Sequence, residues 1–138
     1  MSERFDAIGQ WFEALTDDTL PTIGTVYAQD ATFKDQINDV VGLDRIRQVY
    51  QHMFDNLDHP KFIVDSVIGE GSQGCLIWRL CCAFKGRPIT VHGSTHLVLD
   101  QAGLVATHRD YWDTSEEVFE RIPVLGSILR MLKRRMAG

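Results

Sequence analysis

Cysteine is scarce: Cys75, Cys81 and Cys82 are the only three in 138 residues. An odd count with no C-x-x-C spacing argues against a disulfide framework and fits a reducing compartment, so the cytoplasm is the expected address. Cys81 and Cys82 are neighbours on an expected strand and should point to opposite faces. All three read as small apolar fillers rather than redox or metal groups. Basic charge is also short, with 14 Lys and Arg against 19 Asp and Glu for a net charge of -5, which excludes the usual nucleic-acid binder. No run approaches the roughly 18 apolar residues of a membrane span. The opening MSERFDAIGQWFEALTDD mixes charge with apolar residues and does not read as a signal peptide. No P-loop occurs, and no cofactor is expected. His92 and His96 would stand roughly 13 Å apart on one strand, too far to share a metal ion within one subunit.

What is present is ordinary for a globular domain: 44% hydrophobic and 24% charged residues, in a length that suits one core. Phe5, Ile8, Trp11, Phe12 and Leu15 recur at helical spacing. A short second helix is expected after Asp17-Asp18-Thr19, with Leu20, Ile23, Val26 and Tyr27 on one side. A brief strand, Ala31 to Asp35, leads into the loop QINDVVG. Leu43, Ile46, Val49, Tyr50, Met53, Phe54 and Leu57 then make the clearest helical stripe, ended by Asp58-His59-Pro60. His52 and His59 read as solvent-side residues of that helix. From Lys61 the period changes to that of strands, and KFIVDSVIG, GCLIWRLCCAF, PITVHGSTHLVL and LVATHRDYW form four. Helices followed by a strand meander imply an α+β domain with helices on one face of an antiparallel sheet. The domain is expected to span residues 1–114. Residues 115–138 then read as an amphipathic helical extension packed on the same domain, with Ser115 and Pro123 at helix starts.

The densest chemistry is HRDYWDTSEE, His108 to Glu117. Strand alternation puts Leu104, Ala106, His108, Asp110 and Trp112 on one face and Val105, Thr107, Arg109 and Tyr111 on the other. It likewise aligns Leu76, Trp78, Leu80, Cys82 and Phe84, and then Ile89, Val91, Gly93, Thr95, Leu97 and Leu99. Joining the apolar faces places His108, Asp110 and Trp112 under the helices. The opposite face collects Arg79, His92, Ser94, His96, Arg109 and Tyr111. That face suits water or a sheet-on-sheet contact, and a homodimer through it is expected. Buried His108 and Asp110 must be paired or useful, because unpaired polar groups are costly there.

VYAQDATFKDQ (Val26 to Gln36), VGLDRIRQVY (Val41 to Tyr50) and GLVATHRDYWD (Gly103 to Asp113) resemble the nuclear transport factor 2-like superfamily. Within it the chain is similar to the SnoaL-like polyketide cyclases and the ketosteroid isomerases. That resemblance implies a curved sheet wrapped around three N-terminal helices as a cone-shaped barrel with an apolar pocket, and dimers are common. It implies that Asp35 stands where the isomerases hold their proton-shuttling base, with Tyr27 and Tyr50 at supporting tyrosines. Trp11 falls at the tyrosine oxyanion donor and Thr95 at the partner acid, so an oxyanion site would be chemically altered. A superfold of this kind carries unrelated functions.

The candidate catalytic residues are therefore Asp35, His108 and Asp110. Asp35 would act as general base, or would bond the backbone of the following turn. His108 and Asp110, about 7 Å apart in Cα position, would relay a proton or order the core. Trp11, Tyr27, Tyr50, Trp78, Thr95 and Trp112 are the candidate pocket residues, with plain core as the alternative for the aromatics. The expected function is binding of a small, mostly apolar molecule, with isomerisation or aldol-type cyclisation by proton transfer. The alternatives are a ligand carrier or sensor, and a dimerisation module with an incidental pocket. The basic tail KRRMAG admits two readings: contact with an anionic membrane surface, or a helix folded back over the sheet or pocket mouth.

Overall fold

The computed structural model describes residues 2–112. The expected extension, 115–138, lies outside the described residues. In chain order the elements are α1 (Ser2–Glu13), a 3-10 helix (Leu20–Thr25), β1 (Tyr27–Lys34), β2 (Asp39–Val41), α2 (Leu43–Asn56), β3 (Asp58–Glu70), β4 (Gln73–Phe84), β5 (Arg87–Leu99) and β6 (Val105–Trp112). The strands form one curved, open sheet in the order β2-β1-β6-β5-β4-β3. Neighbours pair antiparallel except β1 and β6, which run parallel. No helix among the described residues is long and apolar enough to cross a membrane.

The helices cover the sheet's inner face with the residues their spacing selects. α1 buries Phe5, Ile8 and Phe12, and α2 buries Ile46 and Tyr50. Arg4 ties α1 down at its exposed start, donating to the carbonyls of Gly103 (2.6 Å) and Thr25 (2.7 Å). On the outer face Arg79 and Asp65 form a two-pronged ion pair at 2.9 Å. Ile77, Ser94 and Tyr111 pair across β4, β5 and β6 there, with Ile77 and Tyr111 exposed.

Three local expectations are corrected. Tyr27 belongs to β1 and not to the short helix, because the 3-10 turn stops at Thr25 and the chain extends at once. The loop expected at QINDVVG contains β2, which pairs with Thr32, Phe33 and Lys34 of β1. Val105, expected on the outer face, is fully buried. An extra residue explains it: Val98 pairs with Thr107 but Leu99 pairs with Val105, so the strand changes phase at Ala106. A similar insertion at Asp65 switches the inward set of β3 from Phe62 and Val64 to Val67. α2 ends at Asn56, ahead of the expected Asp58-His59-Pro60 stop, and these three residues open β3 before the strand start expected at Lys61.

Gly69 and Gly74 are cross-strand partners. A Cβ on either would fall 2.6 or 2.3 Å from the Phe5 ring, so that ring rests directly on two strand backbones. Gly74→Ala should therefore overpack the core and destabilise the domain by about 1–3 kcal/mol in chemical denaturation. Phe5→Leu in the same background should recover part of that loss. An unchanged midpoint for Gly74→Ala would show that the ring can move aside.

Candidate functional site

A cavity of about 140 Å³ opens between α2 and the inner face of the sheet. Its walls are mostly apolar. Asp35, Tyr50, Trp78, Asp110 and Trp112, all anticipated from sequence, line it together. Each arrives by a different route. Asp35 is the first residue beyond β1, and Tyr50 comes from the buried stripe of α2. Trp78, Asp110 and Trp112 lie on the inward phase of β4 and β6.

Behind Asp110 runs a hydrogen-bonded row of side chains. Asp110 Oδ1 receives His108 Nε2 at 2.7 Å and the Thr95 hydroxyl at 2.5 Å. Thr95 in turn accepts the indole N–H of Trp78 at 2.7 Å. That bond needs Gly93, where a Cβ would sit 2.5 Å from the Trp78 ring. On its other side His108 Nδ1 meets the Tyr27 hydroxyl at 2.8 Å, which meets the Tyr50 hydroxyl at 2.8 Å. The tautomer that satisfies both partners carries its proton on Nε2, so Tyr50 donates to Tyr27, Tyr27 to His108 and His108 to Asp110. The imidazole is 2% exposed and lies 4.3 Å from the Phe33 ring in a stacked arrangement, which fixes its plane. The second Asp110 oxygen takes no hydrogen bond from any described residue.

Asp35 is held differently. Its Oδ1 accepts the backbone N–H of Ile37 (2.7 Å) and of Asn38, and the Asn38 side-chain amide reaches both carboxylate oxygens at 3.2 and 3.1 Å. Asp35 thus bonds the backbone of its own turn, one of its two sequence readings, and it also faces the cavity. Burial raises its pKa from 3.8, against the pull of those N–H groups, and the nearby Asp110 carboxylate adds to the rise.

Three anticipated pocket residues do not line this cavity. Trp11 spends its indole N–H on Thr22 Oγ1 at 2.9 Å. Thr95 gives its single proton to Asp110, and Tyr27 sits in the core behind His108. Thr95 and His108 border a smaller neighbouring void that Asp110 also touches. Sequence reading missed Asn38, whose signal is its place three residues after Asp35 in a turn. It also misjudged His52, which is half-buried and lines the cavity because it flanks the α2 stripe at Val49 and Met53. Cys82 forms part of the wall as an apolar filler, its thiol pushed up to about 11 by burial. Among the described residues no cluster of His, Cys, Asp or Glu could hold a metal ion.

The profile of the SnoaL-like domain family matches residues 8–108. Among solved structures, a protein from Shewanella putrefaciens CN-32 provisionally described as a SnoaL-like polyketide cyclase is 18% identical, with TM-score 0.74, covering 90% of this chain and 98% of that one. An NTF2-like protein of unknown function from Burkholderia pseudomallei K96243 is 18% identical, with TM-score 0.74, covering 89% and 97%. A hypothetical protein with a ketosteroid isomerase-like fold from Catenulispora acidiphila DSM 44928, in complex with trimethylamine, is 19% identical, with TM-score 0.69, covering 78% and 85%. At these identities the likeness is one of fold. No curated protein matches the sequence.

Burial also raises the pKa of Tyr27 and of Tyr50 well above 10.0. A raised folded-state value gives stability that is complete below pH about 10 and is lost as pH climbs through that value, because only the unfolded phenols ionise first. In a Tyr111→Phe background, phenolate absorbance should therefore appear together with loss of circular dichroism. Phenolate forming reversibly in the folded protein would contradict the sealed row. Tyr27→Phe, which strands its two partners, should cost about 1–3 kcal/mol.

Proposed function

The chain belongs to the SnoaL-like domain family, and on that premise we propose that its cavity binds a small, mostly apolar molecule and moves a proton within it. The observation that carries this reading is the presence of two carboxylates, Asp35 and Asp110, on one apolar cavity in unlike environments. Asp35 has its affinity for a proton raised by burial, which suits a general base. Asp110 has one oxygen fixed by His108 and Thr95 and the other without a described partner.

In the proposed step Asp35 takes a proton from a carbon next to an electron-withdrawing group. Asp35 carries that proton to its next position, while Asp110, held from behind by His108 and Thr95, keeps its second oxygen on the substrate and orients it. Return of the proton to another carbon gives isomerisation, and attack of the new carbanion on a carbonyl of the same molecule gives cyclisation. A carrier without chemistry is the second reading. It is favoured by the engagement of Trp11 and Thr95, the donors expected for an oxyanion, with other residues. The trimethylamine in the Catenulispora neighbour is that protein's ligand. For this chain the ligand class has to come from its own cavity.

Deuterium uptake by NMR tests the proposal. Apolar ketones and enones incubated in heavy water should exchange at an α-carbon. Asp35→Asn should abolish this while leaving binding within a few-fold, and Asp110→Asn should slow it by about 10²–10⁴. The exchange rate should rise with pH as Asp35 ionises, with a midpoint above its ordinary 3.8. Compounds that raise the melting temperature without exchanging would establish the carrier.

A further inference from the structure

The polar groups on the cavity wall are unevenly divided between those that give and those that receive a proton. Asp35 and Asp110 bring two carboxylates, and no Lys or Arg lines the cavity among the described residues. The donors nearest these acids are already committed. The Asn38 amide N–H₂ serves Asp35, the Trp78 N–H serves Thr95, and the Tyr50 hydroxyl serves Tyr27. The second Asp110 oxygen is uncommitted, and the His52 ring, the Trp112 indole and a weak Cys82 thiol are other polar groups on the wall without a described partner. Two carboxylates that have hydrogen-bond donors but no Lys or Arg beside them are costly in an apolar enclosure. The remaining wall includes Phe33, Phe62, Trp78 and Trp112, and aromatic surface attracts organic cations.

We infer that the ligand of this cavity is a small organic cation, an apolar molecule that carries an ammonium or iminium group. The inference rests on the cavity being the ligand site, as proposed above, and adds the charge of what enters it. A neutral alcohol would satisfy an acceptor but leave both carboxylates without a counter-charge. The volume, about 140 Å³, is close to the roughly 150 Å³ of a cavity that encloses benzene, so one ring or one trimethylammonium-sized group fits. Cationic charge also suits the proton transfer. When a proton leaves the carbon beside an iminium carbon, the C–H electron pair becomes the C=C bond and the C=N pair returns to nitrogen. The proton ends on Asp35, and the product is a neutral enamine. No oxyanion forms, which agrees with Trp11 and Thr95 having given their protons elsewhere.

The test compares choline with its uncharged isostere 3,3-dimethylbutan-1-ol by NMR titration of the full chain. Choline should bind at least about tenfold more tightly, and Asp110→Asn should remove most of that advantage without weakening the isostere. Equal binding of the two compounds, tighter binding of the isostere, or no binding of choline would overturn the inference. The comparison on the unaltered protein holds whether or not the variant folds. Exchange of neutral ketones that depends on Asp35, with choline no better than its isostere, would leave the proposed function standing and remove the cation. Selective choline binding without exchange of any neutral ketone would do the reverse.

Discussion

The contact between His108 Nε2 and Asp110 Oδ1, 2.7 Å long and almost out of reach of solvent, constrains the inner face more than any other. A carboxylate in an apolar wall must be hydrogen-bonded, and an imidazole behind it must spend its second nitrogen as well. That requirement passes outward residue by residue. It fixes Tyr27 at the very start of β1, where parallel pairing with β6 brings the phenol beside Nδ1. It fixes Tyr50 on α2, and hence the angle at which that helix covers the sheet. On the other side it needs Thr95 on the neighbouring strand, directly opposite Asp110 in register. Thr95 then holds Trp78, whose ring can reach it only because position 93 is glycine. Charge-assisted bonds of this kind contribute about 1.5–3 kcal/mol each, and losing one partner strands the next.

The two carboxylates are built from different materials. Asp110 is positioned by side chains from three strands, so its geometry depends on the tertiary fold. Asp35 is positioned chiefly by the backbone of its own turn and by Asn38 three residues on, so its geometry is local. A local support survives small shifts of the sheet, whereas the relay behind Asp110 does not. Anything that tilts α2 moves Tyr50 and disturbs Asp110 while leaving Asp35 in place.

Legibility in the sequence follows the same division. Periodic segments gave α1, α2 and the long strands, and alternation correctly put His108, Asp110 and Trp112 on one inner face with Trp78. Alternation failed at Val105, because one inserted residue reverses the phase and leaves no mark in the pattern of apolar residues. β2 was missed because three residues are too few to show a period. Resemblance to the isomerases pointed to Asp35 and Tyr50, which line the cavity, and to Trp11, which does not. An aligned position says where a Cα falls, but not that a threonine eleven residues further on will take the indole N–H. Asn38 was invisible for a related reason: its importance lies in the amide it gives to Asp35, a property of packing and not of residue type.

A curved sheet is what makes one face able to serve as both core and cavity. The insertions at Asp65 and Ala106 let β3 and β6 bend, and each turns the strand's side chains over beyond the bend. On one side of the bends the inner face closes on α1, with Phe5, Leu76, Leu97 and Val105 sealed from water. On the other side the same face parts from α2 and leaves Leu80, Cys82, Ile89 and Val91 as a wall with space before it. The boundary between the packed half and the open half falls at Trp78, Asp110 and Tyr50, which border both the cavity and the smaller void behind it. The ionisable groups therefore stand where packing density changes. There a carboxylate can be gripped from behind by the core and still present an oxygen to whatever occupies the space in front.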